Sequence, residues 1–77
     1  MFPRINVEKT GINIRKIMND KGITVKQLSE YASTSVQAIY HYFQGKSLPS
    51  LDNLYAMSKL FQVPMDEIIV GESDEKM

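Results

Sequence analysis

The stretch ITVKQLSEYASTSVQAIYHYFQGK, which runs from Ile23 to Lys46, decides the fold of this chain. It contains two short helical patterns, at about 25–31 and 35–43, separated by Ala32-Ser33-Thr34. Two helices joined by so short a turn must cross at a steep angle, which leaves one face of the pair for something outside the fold. The rest of the chain is therefore expected to pack around this pair and hold it.

The composition limits the chain to one small domain. It has 77 residues and no cysteine, so neither a disulfide framework nor a thiolate metal site is available. No apolar run approaches the roughly 20 residues that a membrane span needs, and the N-terminus lacks the apolar core of a signal peptide. We therefore expect a soluble cytoplasmic protein with no membrane partner, no metal and no cofactor.

The formal net charge is zero, but the charges are unevenly distributed. Residues 1–50 carry seven basic and three acidic side chains, whereas residues 66–77 carry one basic and five acidic side chains. The first part thus has a net charge of +4 and the second of −4. Such asymmetry is typical of a nucleic-acid-binding face with an acidic end, and a mixed solvated surface is the alternative.

Apolar residues at helical spacing, together with capping residues, predict five helices and no strand. Asn6, Thr24 and Thr34 are the predicted N-caps of the first three helices, and Pro64 fits the first turn of the fifth. The predicted helices cover about 7–21, 25–31 and 35–43, then from 49 or 50 to 61 or 62, and from 64 to 71. This organisation predicts a flexible arm at 1–5, one domain at 6–71 and a disordered acidic tail at 72–77.

Some residues in these helices carry expectations about packing. Gly11 costs its helix about 1 kcal/mol relative to alanine, so another helix is expected to approach closely there. Tyr31 is assigned to the apolar side of the second helix together with Leu28. Leu51 is assigned to the core of the fourth helix together with Leu54, because apolar residues recur there in steps of three.

The outward face of the third helix is the candidate binding surface. With Ile39 at the centre of the buried side and 100° per residue, Gln37 and Tyr40 fall on the opposite side, together with His41 and Gln44. This stripe carries no acid, which suits an approach to phosphates. Gln37 offers a donor and an acceptor that match the edge of adenine, and Val36, at the border, could meet a thymine methyl.

Each of these side chains also has an ordinary interpretation. An exposed glutamine is usually just solvated, and a lone histidine such as His41 is more often a surface residue than a switch, a metal ligand or a catalytic group. Val36 can equally belong to the core, and Tyr40 can cover the edge of the core. Methionines at core spacing, such as Met18 and Met57, are interpreted as packing residues.

At these residues the chain resembles the phage-repressor/Cro-like helix-turn-helix family, also called the XRE family. The resemblance covers about residues 12–70, and its most specific part is the run Gly-Lys-x-x-Pro-Ser-Leu at 45–51. It implies an all-α, compact, lambda-repressor-like five-helix bundle. It also implies a repressor-like regulator whose third helix enters the major groove of double-stranded DNA, commonly as a homodimer that reads two half-sites.

The resemblance also assigns residues to roles by position. The implied base-reading residues are Ser35, Val36, Gln37, Tyr40 and His41. The implied phosphate contacts are Thr24, Lys26, Gln44 and Lys46. No catalytic residue, cofactor site, metal site or small-molecule substrate is implied.

Three single positions depart from the family pattern. Ser33 stands where the family usually has glycine in the turn, so Ser33 must adopt a positive φ or shift the turn. Val25 stands where the family favours a glutamine that touches phosphate, so this departure either weakens affinity or moves that contact to Lys26. Gln62 replaces the glycine that often ends the fourth helix.

A fourth departure concerns a pair of positions. Family members often pair an arginine in the first helix with a glutamate late in the third, and this chain has Met18 and Phe43 there. Replacing both partners of a buried ion pair by packed apolar groups is often neutral or stabilising, whereas losing one partner is costly. We therefore expect Met18 to contact Phe43.

Two functions compete on this sequence. The first is a sequence-specific DNA-binding regulator. The second is an antitoxin-like or regulatory module of the same fold that binds protein, which the zero net charge, Val25, Tyr40 and Tyr55 favour. An enzyme is not supported, because one histidine, no cysteine and no carboxylate cluster leave no catalytic set.

Overall fold

The structure is a computed structural model that describes residues 4–72. Within that range the chain forms five helices, α1 (Val7–Lys21), α2 (Val25–Ala32), α3 (Val36–Phe43), α4 (Leu51–Phe61) and α5 (Met65–Ile68). Ile5 and Gly71 form an isolated antiparallel β-bridge. The predicted all-α five-helix bundle is confirmed, although α5 ends at 68 and is shorter than predicted.

Polar side chains cap the first two helices as predicted. Asn6 caps α1 by accepting a hydrogen bond from the backbone N–H of Lys9 at 2.8 Å. Thr24 and Gln27 form the predicted capping box, in which each side chain accepts from the other residue's backbone N–H, at 3.1 and 2.8 Å. Each such cap satisfies N–H groups that a helix start would otherwise leave unpaired.

The predicted N-cap of α3 is wrong. Ser35, not Thr34, caps the helix, with its Oγ accepting from the N–H of Ala38 at 3.0 Å. Thr34 is occupied by the end of the preceding helix, because its N–H donates to the carbonyl of Ser29 at 3.1 Å and its carbonyl accepts from the Ser29 hydroxyl. The third helix therefore begins one residue later than predicted.

Two residues assigned to the core are exposed. Leu51 is 73% exposed and Tyr31 is 53% exposed. Steps of three residues rotate by 60° around a helix each time, so an apolar series with that spacing drifts off one face. In α4 the buried set is instead Leu54, Met57 and Phe61, a spacing of three and then four residues that stays on one side.

Nine buried side chains from all five helices form the core. They are Ile14, Met18, Leu28, Ile39, Tyr42, Leu54, Met57, Phe61 and Ile68. The assignment of Met18 and Met57 to packing is confirmed by their burial. The hydroxyl of Tyr42 is satisfied, because it accepts a hydrogen bond from the side-chain amide of Asn53 at 3.2 Å.

Close approach of α3 to α1 explains Gly11. A Cβ at this position would overlap the carbonyl oxygen of Tyr42 and lie 3.3 Å from that of Phe43. The predicted close contact is therefore confirmed, and it brings the backbone of α1 at Gly11 directly against the backbone of α3. It fixes the side of α3 that faces inward.

Polar groups tie the two ends of the domain to each other and to α1. Asn6 N–H donates to Val70 O at 2.8 Å, and Glu72 N–H donates to Arg4 O at 2.9 Å. Arg4 and Ile5 belong to the segment expected as a flexible arm, yet their backbone is paired with 70–72. Residues 1–3 of that arm and residues 73–77 of the expected acidic tail lie outside the described residues.

A fully buried threonine completes this attachment. The Thr10 hydroxyl accepts from Val70 N–H at 3.0 Å and lies 3.4 Å from the Val70 carbonyl. Asn13 donates its side-chain amide to the carbonyls of Glu67 and Ile68, at 2.7 and 3.0 Å. These bonds dock α5 and the residues after it onto α1.

Candidate nucleic-acid interface

The turn between α2 and α3 sets the angle at which α3 is presented. Ser33 has a φ of 52° and a ψ of 46°, the left-handed conformation that its place in the turn demanded. An L-residue with a Cβ is strained there, so surrounding bonds must hold it. The Ser29 hydroxyl supplies one of them, at 2.6 Å from the Thr34 carbonyl.

The outward face of α3 is open, as predicted. Ile39 is fully buried and Tyr42 is 6% exposed, whereas Tyr40 is 47% exposed. Gln37 and Gln44 are exposed as well, and His41 is half-buried. The face that the sequence pattern left for a partner is thus accessible along the helix.

Val36 belongs to this outer face and not to the core. Its side chain is 43% exposed at the first position of α3. Ser35, also exposed, uses its Oγ as the acceptor of the helix cap, which leaves its hydroxyl hydrogen for another acceptor. Four of the five residues proposed to read bases are therefore exposed, and the fifth, His41, is half-buried.

The four residues implied as phosphate contacts are all exposed. Thr24 and Lys26 stand at the start of α2, and Gln44 and Lys46 stand at the end of α3. Within residues 4–72, neither lysine takes part in an ion pair. Both cations therefore remain uncompensated within the described part of the chain.

The charge around α3 suits an anionic partner. No aspartate or glutamate occurs between Glu30 and Asp52, a stretch that includes the whole turn, α3 and the loop after it. A carboxylate in this region would meet the negative charge of a phosphate backbone and weaken binding. Gly45, with a φ of 73°, ends the helix and places Lys46 beside its last turn, where the Lys46 N–H donates to His41 O at 3.0 Å.

A contact that sequence reasoning missed lies behind this face. The guanidinium carbon of Arg15 is 5.5 Å from the centroid of the Phe43 ring. The Phe43 ring also meets Tyr40 edge to face, with centroids 5.7 Å apart and planes at 88°. The family's ion pair pointed to Met18 as the partner of Phe43, one helical turn away from the arginine that lies over its ring.

The expected contact between Met18 and Phe43 stays a prediction. Both residues line the same groove between α1 and α3, and Phe43 packs against the core to which Met18 belongs. A signal for Arg15 was nevertheless present in the sequence, because it stands three residues before Met18 and so on a neighbouring part of the same helix face.

The sequence of this chain is similar to that of known regulators. A family model described as Helix-turn-helix matches residues 14–68. The HTH-type transcriptional activator BcrR of Enterococcus faecalis is 34% identical over 59 residues, which are 77% of this chain and 29% of that protein. The chain therefore spans less than a third of the length of this relative.

The fold is similar to that of two solved structures. The restriction-modification controller protein C.AhdI from Aeromonas hydrophila superposes with a TM-score of 0.73 at 18% identity, over 80% of this chain and 94% of that one. The DNA-binding domain of BldD gives a TM-score of 0.69 at 16% identity, over 84% and 94%. At these identities the similarity shows the fold. The family match, the 34% identity and the fold together establish that this chain belongs to the XRE-type helix-turn-helix family that its sequence resembles.

Proposed function

We propose that this domain is a DNA-binding transcriptional regulator that inserts α3 into the major groove of double-stranded DNA. The observation that carries the proposal is the outer side of α3, which is exposed, polar and free of acids, while its inner side is fixed against α1 at Gly11. A helix held in this way can enter a groove without rearrangement of the fold. Family membership supports regulation by DNA binding and not an enzymatic role.

Two sets of contacts divide the work. Thr24, Lys26, Gln44 and Lys46 stand at the two ends of the helix pair, where contacts to phosphates would fix the position of the domain but not the sequence. Gln37 lies between them on α3, and its amide can bond both N6 and N7 of adenine. Tyr40 and Val36, both partly exposed, flank Gln37 and add a hydroxyl and an apolar contact.

The finer features of this function are part of the proposal. BcrR is named as a transcriptional activator, which supports a role in controlling transcription. We propose that the protein acts in the cytoplasm as a homodimer that places one α3 in each of two half-sites. The finding on membranes is limited to the described helices, none of which is long and apolar enough to cross one.

Selection from a random duplex library, followed by fluorescence anisotropy on the selected site, tests the proposal. Gln37→Ala should cost about 1–3 kcal/mol of binding free energy on the selected site and little on random DNA. Tyr40→Ala should also weaken binding. Tyr55→Ala is the matched control, because it removes another exposed tyrosine, on α4, that the proposal leaves out of the interface.

The second candidate function is a protein-binding module of the same fold. Leu48, Leu51 and Tyr55 are exposed on α4 and the loop before it, with 38%, 73% and 58% of their surface accessible. Exposed apolar side chains can mark a protein contact. If no duplex in the library binds at low salt, and Leu51→Ala or Tyr55→Ala disrupts a protein complex, this second function replaces the first.

A further inference from the structure

A groove beside α3 is lined by one positively charged side chain, that of Arg15. It is formed by α1, the start of α2 and the end of α3, and it is lined by Arg15, Thr24, Tyr40 and Phe43 among others. Thr24 and Tyr40 are residues that the proposed function already assigns to DNA. Arg15 thus shares a groove with one proposed phosphate contact and one proposed base contact, although it lies on a different helix.

Arg15 takes part in no ion pair within residues 4–72. No aspartate or glutamate lines this groove, and Asp20, which lines the adjoining groove beside Arg15 and Phe43, is engaged by Lys16. The neighbouring Lys16 is different, because it lies 3.5 Å from Asp20 one turn along α1. The exposed guanidinium of Arg15 is instead placed over the Phe43 ring at 5.5 Å, within the range of a cation–π interaction.

The aromatic ring determines what the guanidinium can do. A ring face engages the π surface of the guanidinium but leaves its N–H groups for acceptors. Those groups form a planar fork that matches two oxygens of one phosphate. An arginine that is already held over a ring also loses less side-chain freedom on binding than a freely moving one.

We propose that Arg15 is a backbone-phosphate contact of this domain and that Phe43 is the positioning residue that holds it. The inference rests on the proposed function, because it assumes that α3 occupies the groove of a duplex. It assigns α1 a direct part in binding, in addition to its packing role. It also gives the aromatic residue at 43 a purpose beyond replacing one half of an ion pair.

The salt dependence of DNA binding tests the assignment. Each phosphate contact contributes about 0.9 to the slope of log K against log salt concentration. Arg15→Ala should therefore flatten the slope by about 0.9 and weaken binding roughly tenfold, to the same extent on the selected site and on random DNA. Thermal unfolding of the same variant checks that the domain remains folded.

Lys59→Ala is the matched control. It also removes one positive charge and one cation–aromatic contact, because the Lys59 ammonium lies 5.2 Å from the Tyr55 ring on α4. Since Lys59 does not line the groove, its removal should leave slope and affinity close to those of the wild type. An equal loss in both variants would show that net charge alone is responsible, and the assignment of Arg15 would be wrong.

Two conservative variants separate contact from positioning. Arg15→Lys and Phe43→Leu both keep the charge, so the slope should remain, but each should lower affinity because the fork or its platform is lost. If the wild type binds duplex DNA and Arg15→Ala keeps the wild-type slope, the inference is overturned while the proposed function stands. If the wild type binds no duplex at low salt, the proposed function and the assignment of Arg15 are both wrong.

Discussion

The α2–α3 and α4–α5 turns have the same backbone conformation, but the helices that follow them dock differently on the rest of the domain. The C-cap of α2 is Ser33 and that of α4 is Gln62, and both residues adopt the left-handed conformation without being glycine, with φ of 52° and 61°. Both positions are departures from the glycine that the family pattern favours. The chain therefore departs from the pattern in the same way at two turns.

The same supporting bonds recur at both turns. Ser29, four residues before Ser33, accepts two backbone N–H groups at its carbonyl and donates its hydroxyl to the carbonyl of residue 34 at 2.6 Å. Ser58 stands four residues before Gln62 and makes the equivalent bonds, including 2.6 Å to the carbonyl of residue 63. A serine at this spacing thus stabilises a left-handed residue that carries a Cβ.

The helices that begin after the two turns differ in how they dock. α3 is capped by Ser35, docks on α1 by backbone approach at Gly11, and keeps its outer side open. α5 is only four residues long, has no side-chain cap, and docks on α1 through hydrogen bonds of Thr10 and Asn13. The turn therefore fixes only the direction of the next helix. The docking on α1 decides whether that helix presents a surface or closes the domain.

The largest effect is expected where α3 docks. Gly11→Ala would place a methyl group on the Tyr42 carbonyl, so α1 and α3 must separate, and we expect a loss of roughly 3 kcal/mol or more in the free energy of unfolding. Urea denaturation measures it. Asn19→Ala, an exposed substitution on the same helix, should change stability little. A Gly11→Ala variant with the free energy of unfolding of the wild type would refute docking by close approach.

The next effect is expected where the segment after α5 docks. Thr10→Val keeps the shape but removes the hydroxyl, which leaves the N–H of Val70 without its partner, and we expect a loss of about 1–3 kcal/mol. Thr10→Ser keeps the hydroxyl and loses one methyl, at about 0.8 kcal/mol. In denaturant unfolding, the Thr10→Val variant should be less stable than the Thr10→Ser variant. The opposite order would show that the hydrogen bond is not the dominant contribution of this side chain.

A smaller effect tests the serines of the two turns. Ser29→Ala and Ser58→Ala each remove one hydroxyl bond to a carbonyl, and each should cost about 1 kcal/mol because the two sites are built alike. Thermal unfolding of both single variants and of the double variant measures the costs and their additivity. A neutral result at one site and not at the other would break the equivalence of the turns.

The smallest effect has the opposite sign. Ser33→Gly and Gln62→Gly relieve a left-handed residue of its Cβ but add backbone freedom to the unfolded chain, so each should stabilise by roughly 0.5–1 kcal/mol. Differential scanning calorimetry detects such shifts. Asn at either position, which tolerates the left-handed region, serves as the comparison variant. Destabilisation by glycine would mean that the serine-supported turn is not strained.

The sequence was sufficient for most of the fold because its helix ends carry local signals. Asn6 and Gly22 bracket α1, and the Thr24–Gln27 pair opens α2, so these bounds depend on chemistry within a few residues. The start of α3 was harder. Three consecutive hydroxyl residues offer the same cap, and the choice depends on Ser29, which engages Thr34 from five residues earlier.

The site could be predicted in part. The open face of α3 can be derived from rotation about Ile39, since burial of one side dictates exposure of the other. The placement of Arg15 over Phe43 cannot, because it joins residues 28 positions apart and depends on how deeply α3 settles at Gly11. The family's ion-pair pattern pointed to Met18 instead, although the two positions share a groove.

The backbone pairing of Ile5 with Gly71 has a mechanical consequence. A pull applied between the chain before Arg4 and the chain after Glu72 acts on adjacent points, so it peels the Asn6–Val70 and Arg4–Glu72 bonds one at a time. Such a force would break these hydrogen bonds at the start of α1 before it acted on α3. Tension applied at these two ends would therefore separate residues 70–72 from the start of α1, while the contacts of α3 with α1 remained intact.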